Sequence, residues 1–126
     1  GKMKLHFDHA SLSPNETPPA DSESCNSGEM TMEVEVLRCE PPHLLAYTFG
    51  AASEVTFELT PQGDLVQLVL THRSSGEDIA EICNYGSGWH THVALLIARL
   101  THTTPPPFWA THARLLTEYE NLRPTS

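Results

Sequence analysis

Two histidines separated by one residue, His90 and His92, are the first candidates for chemistry in this sequence. They lie in a segment whose apolar residues repeat with helical spacing, and on a helix positions i and i+2 point about 200° apart. The two imidazoles therefore cannot bind one metal ion from that helix alone. A third ligand would have to come from a histidine with no diagnostic spacing: His6, His9, His72, His102 or His112. The pattern favours structural or surface histidines and predicts no metal site.

A possible nucleophile and a group of carboxylates precede this pair. Cys83 could act with a nearby histidine, and Glu77, Asp78 and Glu81 could supply paired carboxylates to a hydrolase. Free cysteine is, however, an ordinary small buried residue, and the spacing does not fix the distance between the acids. No GxSxG, P-loop or GxGxxG pattern occurs. We therefore predict no catalytic residue and no cofactor, and interpret the acids as a solvated turn.

The balance of charge narrows the classes of partner. Seven Lys and Arg residues stand against sixteen Asp and Glu residues, which gives a net charge of −9 at pH 7. Because nucleic-acid-binding proteins present basic patches to phosphates, DNA, RNA and acidic membranes are poor partners.

The 126 residues fit a single domain, residues 1–126, with one core. Eight histidines make the charge sensitive to pH near 6.

The cysteines and the apolar segments indicate the cellular compartment in which we expect the protein. Cys25, Cys39 and Cys83 are an odd number without CxxC spacing, which indicates neither a disulfide framework nor a zinc ribbon. The first ten residues show no basic segment followed by an apolar run. The longest apolar segment, residues 93–100, is interrupted by Arg99 and falls short of the roughly 20 residues that a bilayer requires. We expect a cytoplasmic protein without a membrane span.

Alternation of polar and apolar residues dominates the first half of the chain. Met3, Leu5 and Phe7 share one face of a short strand, and the same period predicts strands at residues 28–40, 43–49, 54–60 and 65–73. Residues 61–64, which include Gly63, form the loop of a hairpin. Residues 11–27 are rich in Ser, Pro and Asn and predict a mobile surface loop. Short connections make the strands an antiparallel meander with one solvated face.

The period changes to that of a helix in the second half. One apolar stripe is formed by Trp89, Val93, Leu96, Ile97 and Leu100. The glycines of residues 86–88 predict the helix entrance, and the three prolines of residues 105–107 end the helix. A second helix is predicted at residues 108–122. Strands followed by helices predict an α+β domain in which the long helix packs on one face of an antiparallel sheet.

Large aromatic side chains on the predicted helices have two interpretations. They are Trp89, Phe108, Trp109 and Tyr119. Such residues either complete a core or line a hydrophobic cavity, and the sequence does not separate these alternatives.

Four motifs in order resemble a known family: VLRCEPPHLLAYTFG at residues 36–50, SEVTFELTPQGDLVQLVLTHR at 53–73, GWHTHVALLIARL at 88–100 and PPPFW at 105–109. Together they are similar to the activator of Hsp90 ATPase homologue 1-like family, within the START-related (SRPBCC) superfamily. The resemblance implies a helix-grip, Bet v1-like fold, in which a curved antiparallel sheet wraps around a long C-terminal helix. It also implies a cavity between them, which binds hydrophobic ligands in many relatives.

The resemblance also implies a missing part. Members of the family usually begin with a further strand and two short helices, and we expect this chain to lack them and to be N-terminally incomplete. In the family that first strand pairs beside the last one, so the edge from Leu65 to Arg73 would stay unpaired. The chain is then either a fragment or a homodimer joined through that edge.

Three functions follow, in decreasing order of preference. The first is a non-enzymatic module that binds a small apolar or amphipathic ligand, with a cavity lined by Leu45, Tyr47, Phe57, Leu68, Leu70, Trp89, His92, Val93 and Leu96. The second is protein interaction, by resemblance to the Hsp90 co-activator, with an acidic surface meeting a basic partner. The third is a cyclase or hydrolase activity that would need a polar dyad in the cavity, with His92 or Glu81 as candidates.

Overall fold

The computed structural model describes residues 1–12, 15–16, 29–76 and 78–122. These residues belong to two units: a sheet unit, Gly1–Leu5 with Thr31–Glu77, and a helical unit, His6–Met30 with Asp78–Ser126. The predicted loop at residues 11–27 lies mostly outside the described residues, as does Cys25. Its first two residues, Ser11 and Leu12, end a short helix.

Five strands form one sheet in the order β1-β2-β3-β4-β5. The strands from β2 to β5 pair antiparallel, each with the next along the chain. Their bounds are β1 Lys2–Asp8, β2 Glu29–Glu40, β3 Leu44–Phe49, β4 Ser53–Gln62 and β5 Leu65–Ser74. The predicted strands and the meander are confirmed.

Side-chain exposure along β2 and over the first three residues of β4 follows the period of two that predicted these strands. Along β2, half-buried or buried Met30, Met32, Val34 and Val36 alternate with exposed residues. Val34 is 3% exposed, and on β4 Val55 is fully buried. Alternation therefore identified Val34 and Val55, whereas the adjacent Ala46 and Tyr47 on β3 are both buried and depart from that period.

The β4–β5 hairpin is tighter than predicted. Pro61 and Gln62 belong to β4, which leaves a two-residue turn whose first residue, Gly63, has a φ of 64°. The N–H of Leu59 donates to the carbonyl of His43. An N–H at residue 61 would point to the same side of β4 as that of Leu59, at a level beyond the start of β3, where no partner strand lies among the described residues. Proline, which lacks that N–H, is therefore tolerated inside the strand.

Strand β5 lies at one edge of the sheet, and within the described ranges it pairs only with β4. The predicted unpaired edge is thus confirmed for these residues. Its apolar side chains are well exposed, with Leu65 at 75% and Val66 at 62%.

The helical unit contains α1 (His9–Leu12), α2 (Ile79–Leu100) and α3 (Phe108–Leu122). The prediction for α3 is confirmed, but the predicted entrance of α2 at residues 86–88 is wrong because those residues lie inside the helix. Asp78 caps α2 instead: its side chain accepts a hydrogen bond of 2.9 Å from the N–H of Ala80. Gly86 has a packing role, since a Cβ there would lie 2.8 Å from the Tyr119 ring.

The buried face of α2 also differs from the predicted apolar stripe. Leu96, Ile97 and Leu100 are 43%, 55% and 69% exposed. The face that is buried carries mainly small and polar residues: Cys83, Ser87, Thr91, Leu95 and Ala98. Their hydroxyls are satisfied by the helix itself, since Thr91 donates to the carbonyl of Ser87 at 2.7 Å and Ser87 donates to that of Asn84 at 3.0 Å. Hydropathy alone cannot detect such a face.

Helix α3 begins directly after the proline run and receives a cap from a distant residue. The carboxylate of Glu16 accepts hydrogen bonds from the N–H groups of Trp109 (2.8 Å) and Ala110 (3.0 Å). A negative charge at a helix N-terminus is favourable because it satisfies free N–H groups and complements the helix dipole. Within the described part of the chain, no helix is both long enough and apolar enough to cross a membrane.

Candidate functional site

Aromatic and imidazole rings from three elements meet in the helical unit. The ring of His9, at the start of α1, lies 4.7 Å from that of Phe108, 5.2 Å from that of Trp109 and 5.9 Å from that of His92, between centroids. His92 on α2 lies 5.0 Å from Phe108. His112 on α3 lies 6.2 Å from Phe108 and 6.3 Å from Trp109. We call these five residues, with Phe7, the histidine–aromatic cluster.

The end of β1 and the start of α1 each supply one member of the cluster, Phe7 and His9. The ring of Phe7 lies 6.2 Å from that of His9 and 6.4 Å from that of His92. His9 is only 7% exposed, and its Nδ1 is buried without a hydrogen-bond partner among the described residues. A buried polar atom without a hydrogen-bond partner costs free energy. Packing alone therefore does not explain why a histidine occupies this position.

Burial sets the electrostatics of the cluster. Desolvation, with smaller contributions from the neighbouring His9 and His112, lowers the pKa of His92 from 6.5 to about 4. Desolvation also lowers the pKa of His112. It lowers the pKa of His9 as well, although the carboxylate of Asp8 opposes it. All three imidazoles are therefore neutral at pH 7, and each can both donate and accept a hydrogen bond.

Two cavities in the helical unit share Ser11, Leu12 and His92 in their walls. The larger, the Arg99 groove, has a volume of about 410 Å³ and is lined by Ser11, Leu12, His92, Leu95, Leu96, Ala98, Arg99, His102, Thr103 and Pro105. The smaller, the Asp8 cavity, has about 350 Å³ and is lined by His6, Phe7, Asp8, His9, Ser11, Leu12 and His92. His92 therefore connects the histidine–aromatic cluster to both.

The polar end of the Arg99 groove is built by the C-terminus of α2. The N–H of Thr103 donates to the carbonyl of Ala98 at 2.9 Å, and the N–H of His102 donates to that of Arg99 at 3.4 Å. This pair of bonds is the Schellman motif, which places the residue after the cap in the left-handed region. His102 occupies that position with a φ of 54°, where glycine is the usual residue.

The predicted ligand-cavity residues fall into two groups. Leu45, Phe57 and Leu70 form one cross-strand row in the sheet unit, and Leu68 and Tyr47 lie in the rows on either side of the same face. Tyr47 stacks on Phe57 at 6.0 Å. In the helical unit, His92 and Leu96 line the Arg99 groove, Trp89 lies 6.5 Å from His92, and Val93 is half-buried. That these nine residues line one cavity stays a prediction.

The other predicted candidates lie elsewhere. His90 contacts Tyr119, with its Nδ1 3.3 Å from the hydroxyl, whereas His92 joins the cluster, as the helical geometry predicted. Glu81 accepts a hydrogen bond of 2.9 Å from the hydroxyl of Tyr85. Cys83 is buried, and Glu77 lies outside the described residues. In the part of the chain that the structure describes, no three His, Cys, Asp or Glu side chains form a group that could hold a metal ion.

Among the residues of the site that were not selected as ligand contacts from the sequence are His9, Arg99 and His102. His9 continues the alternation of Met3, Leu5 and Phe7, and that period could have identified it as inward-facing. Arg99 is the charged residue that interrupts the apolar segment at residues 93–100, which is a signal in itself. His102 carries no sequence signal, because its backbone conformation appears only in the structure.

The fold is that of an α+β domain of the helix-grip type, and comparison with known proteins identifies the family. The chain belongs to the activator of Hsp90 ATPase homologue 1-like family, whose model matches residues 5–101. The fold predicted from the resemblance is thereby confirmed.

Solved structures provide two further likenesses. A Bordetella parapertussis protein with a solution NMR structure is 39% identical with a TM-score of 0.77; the match covers 99% of this chain and 66% of that protein. The chain thus spans slightly less than two-thirds of its length. CalU16 from Micromonospora echinospora is 20% identical with a TM-score of 0.58, over 96% of this chain and 86% of its own, and shares the fold alone. No curated protein matches significantly. Membership supports a ligand-binding or co-chaperone-like module, in a family that is generally non-catalytic.

Proposed function

We propose that this chain binds a small apolar or amphipathic molecule, and that the Arg99 groove is the place of binding. The observation that carries the proposal is the groove itself, a cavity of about 410 Å³ lined by apolar side chains and by polar residues that include Arg99, His102 and Thr103. Sites for small molecules typically have volumes of about 300–1,000 Å³ and combine apolar walls with a few placed polar groups.

The wall of the groove is suited to burying an apolar ligand. Leu95 and Ala98 are 8% and 5% exposed and form a fixed floor on α2, whereas Leu96 is 43% exposed and available for contact. Each square ångström of apolar ligand surface that leaves water contributes about 25 cal/mol. The neutral imidazole of His92 can hydrogen-bond a ligand hydroxyl without the cost of burying a charge.

The remaining predicted contacts are part of the same proposal. Trp89 and Val93 flank His92 on α2, and we include the sheet face formed by Leu45, Tyr47, Phe57, Leu68 and Leu70 as a second apolar surface. Support for that face is its cross-strand register, which places the five side chains together on one side of the sheet.

A titration with the neutral probe 1-decanol, followed by amide chemical shifts, tests this function. We expect saturable shifts at His92, Leu95 and Leu96. Leu96→Asn should weaken binding severalfold, because it replaces an apolar contact in the groove. Its matched control is Ile97→Asn, at a neighbouring position that is 55% exposed and does not line the groove. An absence of saturable binding, or equal losses in the two variants, would refute the proposal.

The exposed edge of β5 favours a second role, self-association. We infer that two copies pair through the Leu65 to Arg73 edge, because an unpaired strand with exposed Leu65 and Val66 is a template for another strand. Light scattering at micromolar concentration should show a dimer. Val66→Lys should give a monomer, whereas Leu122→Lys, at an exposed position on α3, should not. A folded monomer of the unmodified chain would refute the dimer.

A further inference from the structure

The Arg99 guanidinium is an unused positive charge at the end of the groove. Among the described residues it has no carboxylate within ion-pair distance, whereas Arg38 pairs with Glu40 and Arg114 with Glu118. In a chain of net charge −9, Arg99 is a positive charge that lines a cavity and has no carboxylate partner among the described residues. Arginine presents a planar set of donors that matches a carboxylate in geometry and charge.

The residue beside it strengthens this assignment. His102 stands in left-handed backbone, which costs a residue with a Cβ about 1 kcal/mol or more that glycine would not pay. His102 nevertheless lines the same groove as Arg99. Strained backbone at a cavity is a pointer to function, and an imidazole N–H there supplies a second hydrogen-bond donor.

The helix dipole opposes an anion at this place, but weakly. The C-terminus of α2 carries about half a negative charge, located on its last free carbonyls. Those carbonyls are occupied: that of Ile97 accepts from Thr101, and those of Ala98 and Arg99 accept from the Schellman motif. The full charge of the guanidinium therefore outweighs the partial charge of the helix end.

Asp8 bears on the direction of the ligand. It lines the smaller cavity and not the Arg99 groove, and the two cavities share Ser11, Leu12 and His92. It would repel a second carboxylate, so an acidic head group is favoured only at the Arg99 end, with its apolar tail along Leu12, Leu95 and Leu96.

We propose that the Arg99 groove selects amphipathic carboxylates, such as a medium-chain fatty acid, by pairing the carboxylate with Arg99 and His102. This inference rests on the proposed function and specifies its ligand class. It predicts a difference between two probes of equal chain length, one charged and one neutral.

The test compares decanoate with 1-decanol at pH 7.5 by calorimetry, both below their aggregation concentrations. We expect decanoate to bind about tenfold more tightly, as one charge-assisted hydrogen-bonded pair supplies. Arg99→Gln should remove this preference, so that decanoate binds the variant no more tightly than decanol does. Arg114→Gln, which also removes one positive charge from an exposed helix position, should keep the preference.

The outcomes distinguish failure of the carboxylate assignment from failure of the binding function. If both probes bind with equal affinity, or if Arg99→Gln weakens both alike, the carboxylate assignment is wrong and the binding function stands. Loss of the preference in Arg114→Gln would attribute it to overall charge and would also overturn the assignment. If neither probe binds, both proposals fail.

Discussion

The sheet unit and the helical unit bury different chemistry. Four of the five buried polar residues within the described ranges belong to the helical unit: His9, Ser87, Thr91 and Thr111. The sheet unit buries Val34, Ala46, Tyr47 and Val55, with Ser53 as its one polar example among the described residues. Burying polar groups is costly unless they are hydrogen-bonded. Apolar burial is enough to explain the sheet unit, which acts as a scaffold. The helical unit contains both cavities and the buried His9, whose unpartnered Nδ1 packing does not explain.

Truncating the centre of each region should show the largest effect. Phe108 is 2% exposed and contacts His9, His92 and Trp109, so Phe108→Ala should lower the free energy of unfolding by about 4 kcal/mol. Val55→Ala in the sheet should cost about 2 kcal/mol, because a smaller apolar volume is lost. Urea unfolding measures both. Leu122→Ala, at a position 79% exposed, is the control and should change little. A larger loss of stability for Val55→Ala than for Phe108→Ala would contradict this order.

Acid should destabilise the protein through the histidine–aromatic cluster. The pKa of His92 is about 4 when folded and about 6.5 when unfolded, so the unfolded state binds its proton more tightly. The contribution of neutral His92 to the free energy of unfolding is therefore fully present above pH 6.5 and is lost as the pH falls towards 4. The loss between pH 7 and pH 4.5 is about 2–3 kcal/mol. His9 and His112 act in the same direction, because their pKa values are also lowered.

Urea unfolding at the two pH values measures this loss. His92→Gln should abolish most of it, whereas His43→Gln, in the exposed turn between β2 and β3, should retain it. Equal acid losses in both variants would show that the cluster is not the source.

His102→Gly should show the smallest effect and the opposite sign. Removing the Cβ from left-handed backbone should raise the free energy of unfolding by about 1 kcal/mol, visible as a higher Tm. The same variant should bind decanoate more weakly, since the imidazole is lost. Gains in both stability and affinity would contradict a functional reason for histidine here. His43→Gly, where φ is not positive, should not gain stability.

Period-two alternation predicted the strands because successive side chains of a strand point to opposite faces of the sheet. Met3, Leu5 and Phe7 on β1 and Val55 and Phe57 on β4 lie where the pattern placed them. The motif order supplied the family and the fold. The hairpin turn was predicted to be two residues too long because proline was assumed to end β4, and only the hydrogen-bond direction of Leu59 shows why it does not.

The helical unit resisted prediction for a different reason. Its long helix begins ten residues before Trp89 because Asp78 caps it, and its buried face includes Ser87 and Thr91. Their hydroxyls bond within the helix, so their polarity does not exclude them from a core. The site itself depends on contacts between His9 and α3, more than ninety residues apart in the chain, which no local pattern encodes.

The most direct test of the binding site is to locate a bound ligand by intermolecular nuclear Overhauser effects between 1-decanol and the labelled protein. The structure predicts contacts from the decanol chain to the Leu95 and Leu96 methyl groups and to the His92 ring. Contacts confined to the sheet residues Leu45, Phe57 and Leu70, with none to the groove on α2, would contradict it.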